Sequence, residues 1–310
     1  MVAIATTGLT KYYGGRITVE NVALQVPEAC VYGFVGPNGA GKTTVMRILL
    51  GLTSADRGTV KISGYDIASN RKAALAHVGA VIESPAMYGH LTGRANLLLS
   101  CAMLRVHGRD VDRVLDLVDL RNAADQKVGT YSLGMKQRLA VARTLLGSPR
   151  LLLLDEPTNG LDPDGIVAMR AFIRDLPDRI KGTVFISSHL LSEVEQIADH
   201  VGLMRNGRLV IQDKVANLIG TNANYTIDLD KPAQAVLVLK AAGFDAEQQS
   251  DQILLLCSHN QDAKKQAARA NQILVEAGHA VSALSPRPTS LEDIYRGAVN
   301  RHVSEQRNAA

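Results

Sequence analysis

Val31-Tyr32-Gly33-Phe34-Val35-Gly36-Pro37-Asn38-Gly39-Ala40-Gly41-Lys42-Thr43-Thr44 joins an apolar run to a glycine-rich stretch and the start of a helical pattern. The first five residues read as a buried strand. A helix is predicted to begin within Gly41 to Thr44, to run through Val45-Met46-Arg47-Ile48-Leu49-Leu50, and to stop at Gly51. Between strand and helix, Gly36 to Thr43 matches G-x-x-x-x-G-K-[ST] at every fixed position. The spacing has a physical basis. Glycines let successive backbone N–H groups face one phosphate, and the helix adds its positive N-terminal end. Lys42 is placed to reach the β- and γ-phosphates, and the Thr43 hydroxyl to hold Mg²⁺. Gly36, Asn38, Gly39, Gly41, Lys42, Thr43 and Thr44 are therefore the candidate phosphate-binding residues. By itself the loop fits kinases and GTPases as well.

A second apolar run, Leu151-Leu152-Leu153-Leu154, ends in two adjacent acids, Asp155 and Glu156. Neighbouring side chains on a strand point to opposite faces, but a loop at the strand's end can re-aim the second acid. Asp155 then suits a Mg²⁺ shell, and Glu156 suits a general base acting on water. In open α/β sheets ligands sit beyond the carboxyl ends of the strands, where the loop and this pair both fall.

Working outward, residues 1 to about 35 read as short strands, with partial alternation over Val19 to Val26. Residues 85 to 148 read as mostly helical. There Leu97, Leu98, Met103 and Leu104 suggest one buried helix face, and Val111, Val114, Leu115 and Val118 another. Val184-Phe185-Ile186 resembles Leu151 to Leu154 in being continuously apolar, as buried parallel strands are. The fold class is thus α/β: a P-loop NTPase core with a parallel sheet and a helical subdomain at about 85–150.

Composition shifts at Gly220-Thr221-Asn222-Ala223-Asn224, which reads as a linker between domains 1–220 and 221–310. Beyond it the predicted order is a strand at Tyr225 to Leu229, a helix over Ala233 to Ala242, a hairpin at Gln249 to Leu256, a helix from Gln261 to Ala277 and a strand at Ala280 to Leu284. That βαββαβ order is the plan of a small ferredoxin-like α+β domain. A last helix is predicted to start near Ser290 as cap, with Asp293 in its first turn. Pro286-Arg287-Pro288 reads as a rigid connector.

Composition excludes several classes. Thirty-four basic against 30 acidic residues, net +4, is too mild a bias for a nucleic-acid binder, and none is expected as partner. Cys30, Cys101 and Cys257 are far apart and form no C-x-x-C pair, which favours a reducing compartment. No apolar run approaches the roughly 20 residues needed to span a bilayer. Met1 to Ala5 lacks a basic stretch followed by a long apolar core, so a cytoplasmic location is expected.

Further motifs add the context that the two carboxylates and the loop lack. Tyr131-Ser132-Leu133-Gly134-Met135-Lys136-Gln137-Arg138-Leu139 lies between them, and Asn159-Gly160-Leu161-Asp162 and Ser187-Ser188-His189 follow. In this order the motifs resemble the ATP-binding subunits of ABC transporters, over about residues 3 to 215. The resemblance is strongest to the exporter branch that includes bacitracin- and lantibiotic-resistance ATPases. It implies an ATPase that binds ATP and Mg²⁺ between two head-to-tail copies of the chain, and that drives a separate transmembrane permease from the inner membrane face. It further implies that Tyr13, or Tyr12 in the alternative register, stacks on adenine, and that Ser132 and Gly134 contact the γ-phosphate held by the opposite copy. His189 would position the catalytic glutamate, and Asp162 would link the two sites. Two departures stand out. Tyr131, Leu133 and Met135 replace the usual leucine, glycine and glutamine of the signature, and Glu83 stands where most relatives carry a Mg²⁺-contacting glutamine.

Overall fold

The computed structural model describes residues 2–82, 87–219, 223–257 and 263–298; Glu83, one of the expected metal ligands, lies outside them. The chain folds into two compact units that divide between Val215 and Ala216.

In the first unit β1 (Val2–Tyr13) runs antiparallel to β2 (Arg16–Val22), with Tyr13 opposite Arg16 across the Gly14-Gly15 turn. β3 (Gln25–Pro27) also pairs with β1, so the stretch Val19 to Val26 is divided between two short strands. β4 (Val31–Val35) is buried at every position and leads through the glycine-rich loop into α1 (Lys42–Leu49). β5 (Arg57–Ile62) and β6 (Tyr65–Asp66) complete the antiparallel sheet, in the order β2-β1-β5-β6.

The central sheet is made from β4 and five later strands. α2 (Arg71–Leu75) precedes β7 (Val78–Val81); then come three helices, α3 (Gly93–Leu104), α4 (Asp110–Leu117) and α5 (Leu133–Thr144). β8 (Leu151–Asp155), α6 (Pro163–Ile180), β9 (Thr183–Ser188), α7 (Leu191–Ile197), β10 (His200–Arg205) and β11 (Arg208–Lys214) follow, before α8 (Val215–Ile219). The sheet order is β11-β10-β4-β9-β8-β7, parallel throughout except for edge strand β11. β9 is buried at all six positions, and Phe185 stacks on Tyr32 of β4 with ring centroids 5.5 Å apart. These two apolar strands carry no alternation because helices cover both faces.

One sequence expectation about the helical segment fails. α4 buries Val111, Val114 and Leu115, with Val118 at its end, as its periodicity predicts. α3 does not bury the stripe assigned to it. Its inward face is Gly93, Asn96, Leu97 and Cys101, whereas Leu98, Leu99 and Leu104 are exposed and Met103 is 85% exposed. The helix is apolar nearly all round, so periodicity could not tell which side meets the core.

The second unit contains β12 (Ala223–Leu229), α9 (Pro232–Ala241), β13 (Asp245–Gln249), β14 (Gln252–Leu256), α10 (Ala263–Glu276), β15 (Val281–Pro288) and a helix over residues 291–298. Its sheet has the order β13-β14-β12-β15, with every pair antiparallel. Ile227, Ile253 and Leu255 pack against Val236, Leu239, Ala267 and Leu274 of the two helices. Ser290 and Asp293 cap the last helix reciprocally: Asp293 N donates to Ser290 Oγ (3.2 Å) and Ser290 N to Asp293 Oδ2 (3.1 Å). Pro286-Arg287-Pro288 is not a connector but the end of edge strand β15, where the prolines pair opposite Tyr225 and Ala223.

Candidate active site

Strand register alone gathers most of the predicted residues. Val35 pairs with Ser188 and Asp155 with Ser187, so β4, β8 and β9 end side by side. Gly36, Glu156 and His189 each follow one of these ends, and adjacent strands lie about 4.8 Å apart. The loop after β4 is tied to β9 by Gly36 N donating to Ser188 O (3.3 Å).

Two of the loop's glycines, Gly36 and Gly41, are dictated by crowding. Gly41 caps α1 with φ +103°, and a Cβ there would stand 2.7 Å from Thr18 O of β2. A Cβ on Gly36 would press on the Met204 carbonyl oxygen of β10. Asn38 and Gly39 form the loop's exposed tip, and Thr43 and Thr44 lie half-buried in the first turn of α1. Lys42 is buried, and its Nζ donates to Gly36 O (2.7 Å) and Pro37 O (3.4 Å). Loop, lysine and helix N-terminus thus concentrate positive charge at one point.

The two acids of β8 face that point. Thr43 Oγ1 donates to Asp155 Oδ2 (3.3 Å), and the other oxygen of Asp155 accepts a short hydrogen bond from the Ser187 hydroxyl. Glu156 takes a left-handed backbone conformation, φ +48°, which turns its side chain to the same side as Asp155. Its N–H donates to Ser187 Oγ (3.0 Å). For a non-glycine residue this conformation costs about 1–2 kcal/mol, a strain commonly found where function fixes a side chain. One Glu156 oxygen lies 3.5 Å from Lys42 Nζ and the other 2.7 Å from His189 Nδ1. A carboxylate only accepts, so Nδ1 carries the hydrogen of that contact.

Thr43 and Asp155 suit a small hard cation: a neutral and an anionic oxygen, already within hydrogen-bonding distance. Among the described residues no group of three or more His, Cys, Asp or Glu could hold a metal alone.

The remaining candidates stand apart from this cluster. Tyr13 ends β1 with its ring 45% exposed, and the Lys11 ammonium lies 5.4 Å from the ring centre; Tyr12 beside it is also exposed. Ser132 is the exposed N-cap of α5 and accepts from Met135 N (3.2 Å). Among the described residues no hydrogen bond joins Ser132 or Gly134 to the phosphate loop of the same chain. Instead, Gln137 Nε2 of α5 donates to Asn159 O (3.3 Å). Asp162 caps α6 by accepting from Gly165 N (3.1 Å). A cleft of about 570 Å³ opens between Glu156 and α5, lined also by Val81, Gly129, Leu133 and Gln137.

Sequence reading does not single out Ser187, Thr158, Glu193 or Arg170, whose hydrogen bonds lie beside the carboxylate pair and the histidine. Ser187 lies inside a motif read for its histidine, and its role depends on its register with Asp155, which the sequence does not display. Thr158 Oγ1 donates to the buried Glu193 Oε2 (2.7 Å), and Arg170 Nη2 lies 3.1 Å from Glu193 Oε1.

A parallel sheet ending in a phosphate loop, a carboxylate pair and a histidine defines a nucleotide-hydrolysing class of protein. Residues 19–159 match the profile of the ABC transporter family. The chain is 40% identical to the bacitracin transport ATP-binding protein of Bacillus licheniformis, over 94% of this chain and 95% of that one. It is 42% identical to the lantibiotic transport ATP-binding protein of Streptococcus pyogenes, over 66% of this chain and 87% of that one. Among solved structures, one described as the ATP-binding subunit of an ABC transporter superposes with a TM-score of 0.60 at 26% identity, covering 70% of this chain and 91% of that chain. The chain belongs to the ABC transporter family of ATP-binding subunits, ATPases whose hydrolysis is coupled to transport.

Proposed function

We propose that the chain works as a pair of identical copies beneath a separate membrane permease, driving export of a peptide antibiotic, lipid or drug-like cargo. The observation that carries this reading is the Glu156 carboxylate held between Lys42 and His189 at the mouth of the phosphate loop. In this reading Gly36, Asn38, Gly39, Gly41 and Thr44 shape the loop around the phosphates while Lys42 pairs with them. Glu156 takes the proton of a water attacking the γ-phosphorus; the bond to the leaving ADP oxygen breaks, and His189 holds the carboxylate in line. Mg²⁺, bound by Thr43 and Asp155, would supply charge neutralisation between the β- and γ-phosphates.

The exposed Ser132 and the half-buried Gly134 beside it support a two-copy site. A serine hydroxyl, a glycine backbone and a helix N-terminus make an anion site that lacks a phosphate within its own chain. Head-to-tail pairing about a two-fold axis would bring each signature to the other copy's loop, leaving Tyr13 free for adenine.

No helix among the described residues is long and apolar enough to cross a membrane. The exposed apolar side of α3 supports docking to a permease, which would hold the chain at the inner membrane face. Export rests on the transport roles named for the bacitracin and lantibiotic relatives. For the second unit, the βαββαβ order and the antiparallel order β13-β14-β12-β15 support a ferredoxin-like accessory domain.

The test is a native-membrane pull-down of tagged Glu156→Gln protein with Mg-ATP. A multi-spanning protein at one-to-one stoichiometry is expected. Ribosomal or DNA-associated proteins without a permease would refute the transport role and leave the ATPase standing.

A further inference from the structure

The Glu156–His189 contact joins two loops 33 residues apart, and burial does not hold it: the His189 side chain is 36% exposed. Something else must fix both backbones. Two residues after Glu156, Thr158 is buried, and four residues after His189, Glu193 is 3% exposed. Their side chains meet at 2.7 Å. The charge of Glu193 is met by Arg170, which also donates to Gln196 Oε1 (2.9 Å). Arg170 lies on α6, the helix that Asp162 caps. One buried carboxylate therefore fastens the loop of the base, the helix after the histidine and the helix after Asp162.

We infer that Glu193 and Thr158 are positioning residues that hold Glu156 and His189 in register for hydrolysis. Stability alone explains the arrangement poorly. Burying a carboxylate costs several kcal/mol before its partners repay it, and the Arg170 Nε is itself buried with no acceptor. A neutral, apolar contact between α6 and α7 would hold the fold at lower cost. The ionic contact instead sets a direction: Thr158 must face α7, which aims Glu156 from its C-terminal side while Ser187 holds its N–H from the other. A displacement of the order of 1 Å at a reacting group can cost about a hundredfold in rate.

The inference rests on Glu156 being the base, and the experiment separates the two. Steady-state ATP hydrolysis, nucleotide affinity and melting temperature are measured on the full chain for Thr158→Val, Thr158→Ser, Glu193→Gln and Glu156→Gln. Thr158→Val is expected to lower kcat roughly tenfold or more, with KM and nucleotide Kd within about twofold of wild type. Thr158→Ser should restore the rate, and Glu193→Gln should resemble Thr158→Val. Added to Glu156→Gln, Thr158→Val should lower the residual rate no further, because the group it aims is gone. Wild-type turnover in Thr158→Val beside an inactive Glu156→Gln overturns the positioning role alone. So does a loss of kcat, affinity and melting temperature together that serine does not rescue. Wild-type turnover in Glu156→Gln overturns the base itself.

Discussion

His189 Nδ1 stands 2.7 Å from Glu156 Oε2, while the other oxygen of the same carboxylate is 3.5 Å from Lys42 Nζ. The carboxylate thus spans two of the three strand ends that meet at the phosphate loop. Its aim depends on a left-handed residue that no side chain adopts without cost.

Ser187 donates to Asp155 and accepts from the Glu156 N–H, and it is fully buried. Ser187→Ala leaves the part-buried Glu156 N–H and an Asp155 oxygen without this partner, a cost of about 1 kcal/mol. Both acids lose their reference point. The expected outcome is a lower kcat together with a higher Mg²⁺ concentration for half-maximal hydrolysis, read from a Mg²⁺ titration at saturating ATP.

Gly36→Ala drives a methyl group against the Met204 carbonyl, which belongs to a buried strand and cannot withdraw. A loss of about 1–3 kcal/mol of stability is expected, with weakened nucleotide binding. Gly39→Ala meets no neighbour but must adopt φ +79°, at a cost of about 1–2 kcal/mol. Thermal melts and nucleotide titrations of the two variants separate crowding from backbone strain. Gly36→Ala should be the worse binder.

Asp110 pairs with Arg113 through both oxygens, at 2.5 and 2.9 Å, and accepts from Gly147 N at 2.8 Å. Burial pushes its carboxyl up, but these donors outweigh burial and hold it below the usual carboxylate range. A depressed folded value means stability that is present above the unfolded value and lost as pH falls through the folded one. Asp110→Asn should therefore melt lower than wild type near neutrality, and the gap should close below roughly pH 4. A constant gap across that range would contradict the account.

All three cysteines are buried. Burial, with the Asp199 charge nearby, pushes the Cys30 thiol up to about 12, and burial likewise raises Cys101 and Cys257. Thiolate is the reactive form. At pH 8 the native chain should react slowly with Ellman's reagent, and all three thiols should appear at once in denaturant.

What the sequence showed and what it hid divide by range. Gly36 to Thr43 is contiguous, and its strand and helix are its immediate neighbours, so a local reading reaches Lys42 and Thr43. Asp155 and Glu156 were legible as a pair because an apolar strand runs straight into them. The role of Ser187 was not legible, because it is set by parallel pairing with a strand about thirty residues away. Nothing local in the sequence singles out Glu193; only tertiary packing buries it against Thr158 and Arg170. α3 misled for the opposite reason: with leucines on several faces, nothing local distinguished the side that meets the core from the side left exposed. β15 shows how a proline pair that reads as a connector can belong to a strand when that strand lies at a sheet edge.

If Glu156 is the base of an ATP site built on this phosphate loop, removing its charge must stop hydrolysis and spare binding. The most direct test is phosphate release by purified Glu156→Gln protein, measured beside its affinity for Mg-ATP. Wild-type nucleotide affinity is expected, with turnover reduced by about a hundredfold or more. Turnover near the wild-type rate with unchanged affinity would contradict it.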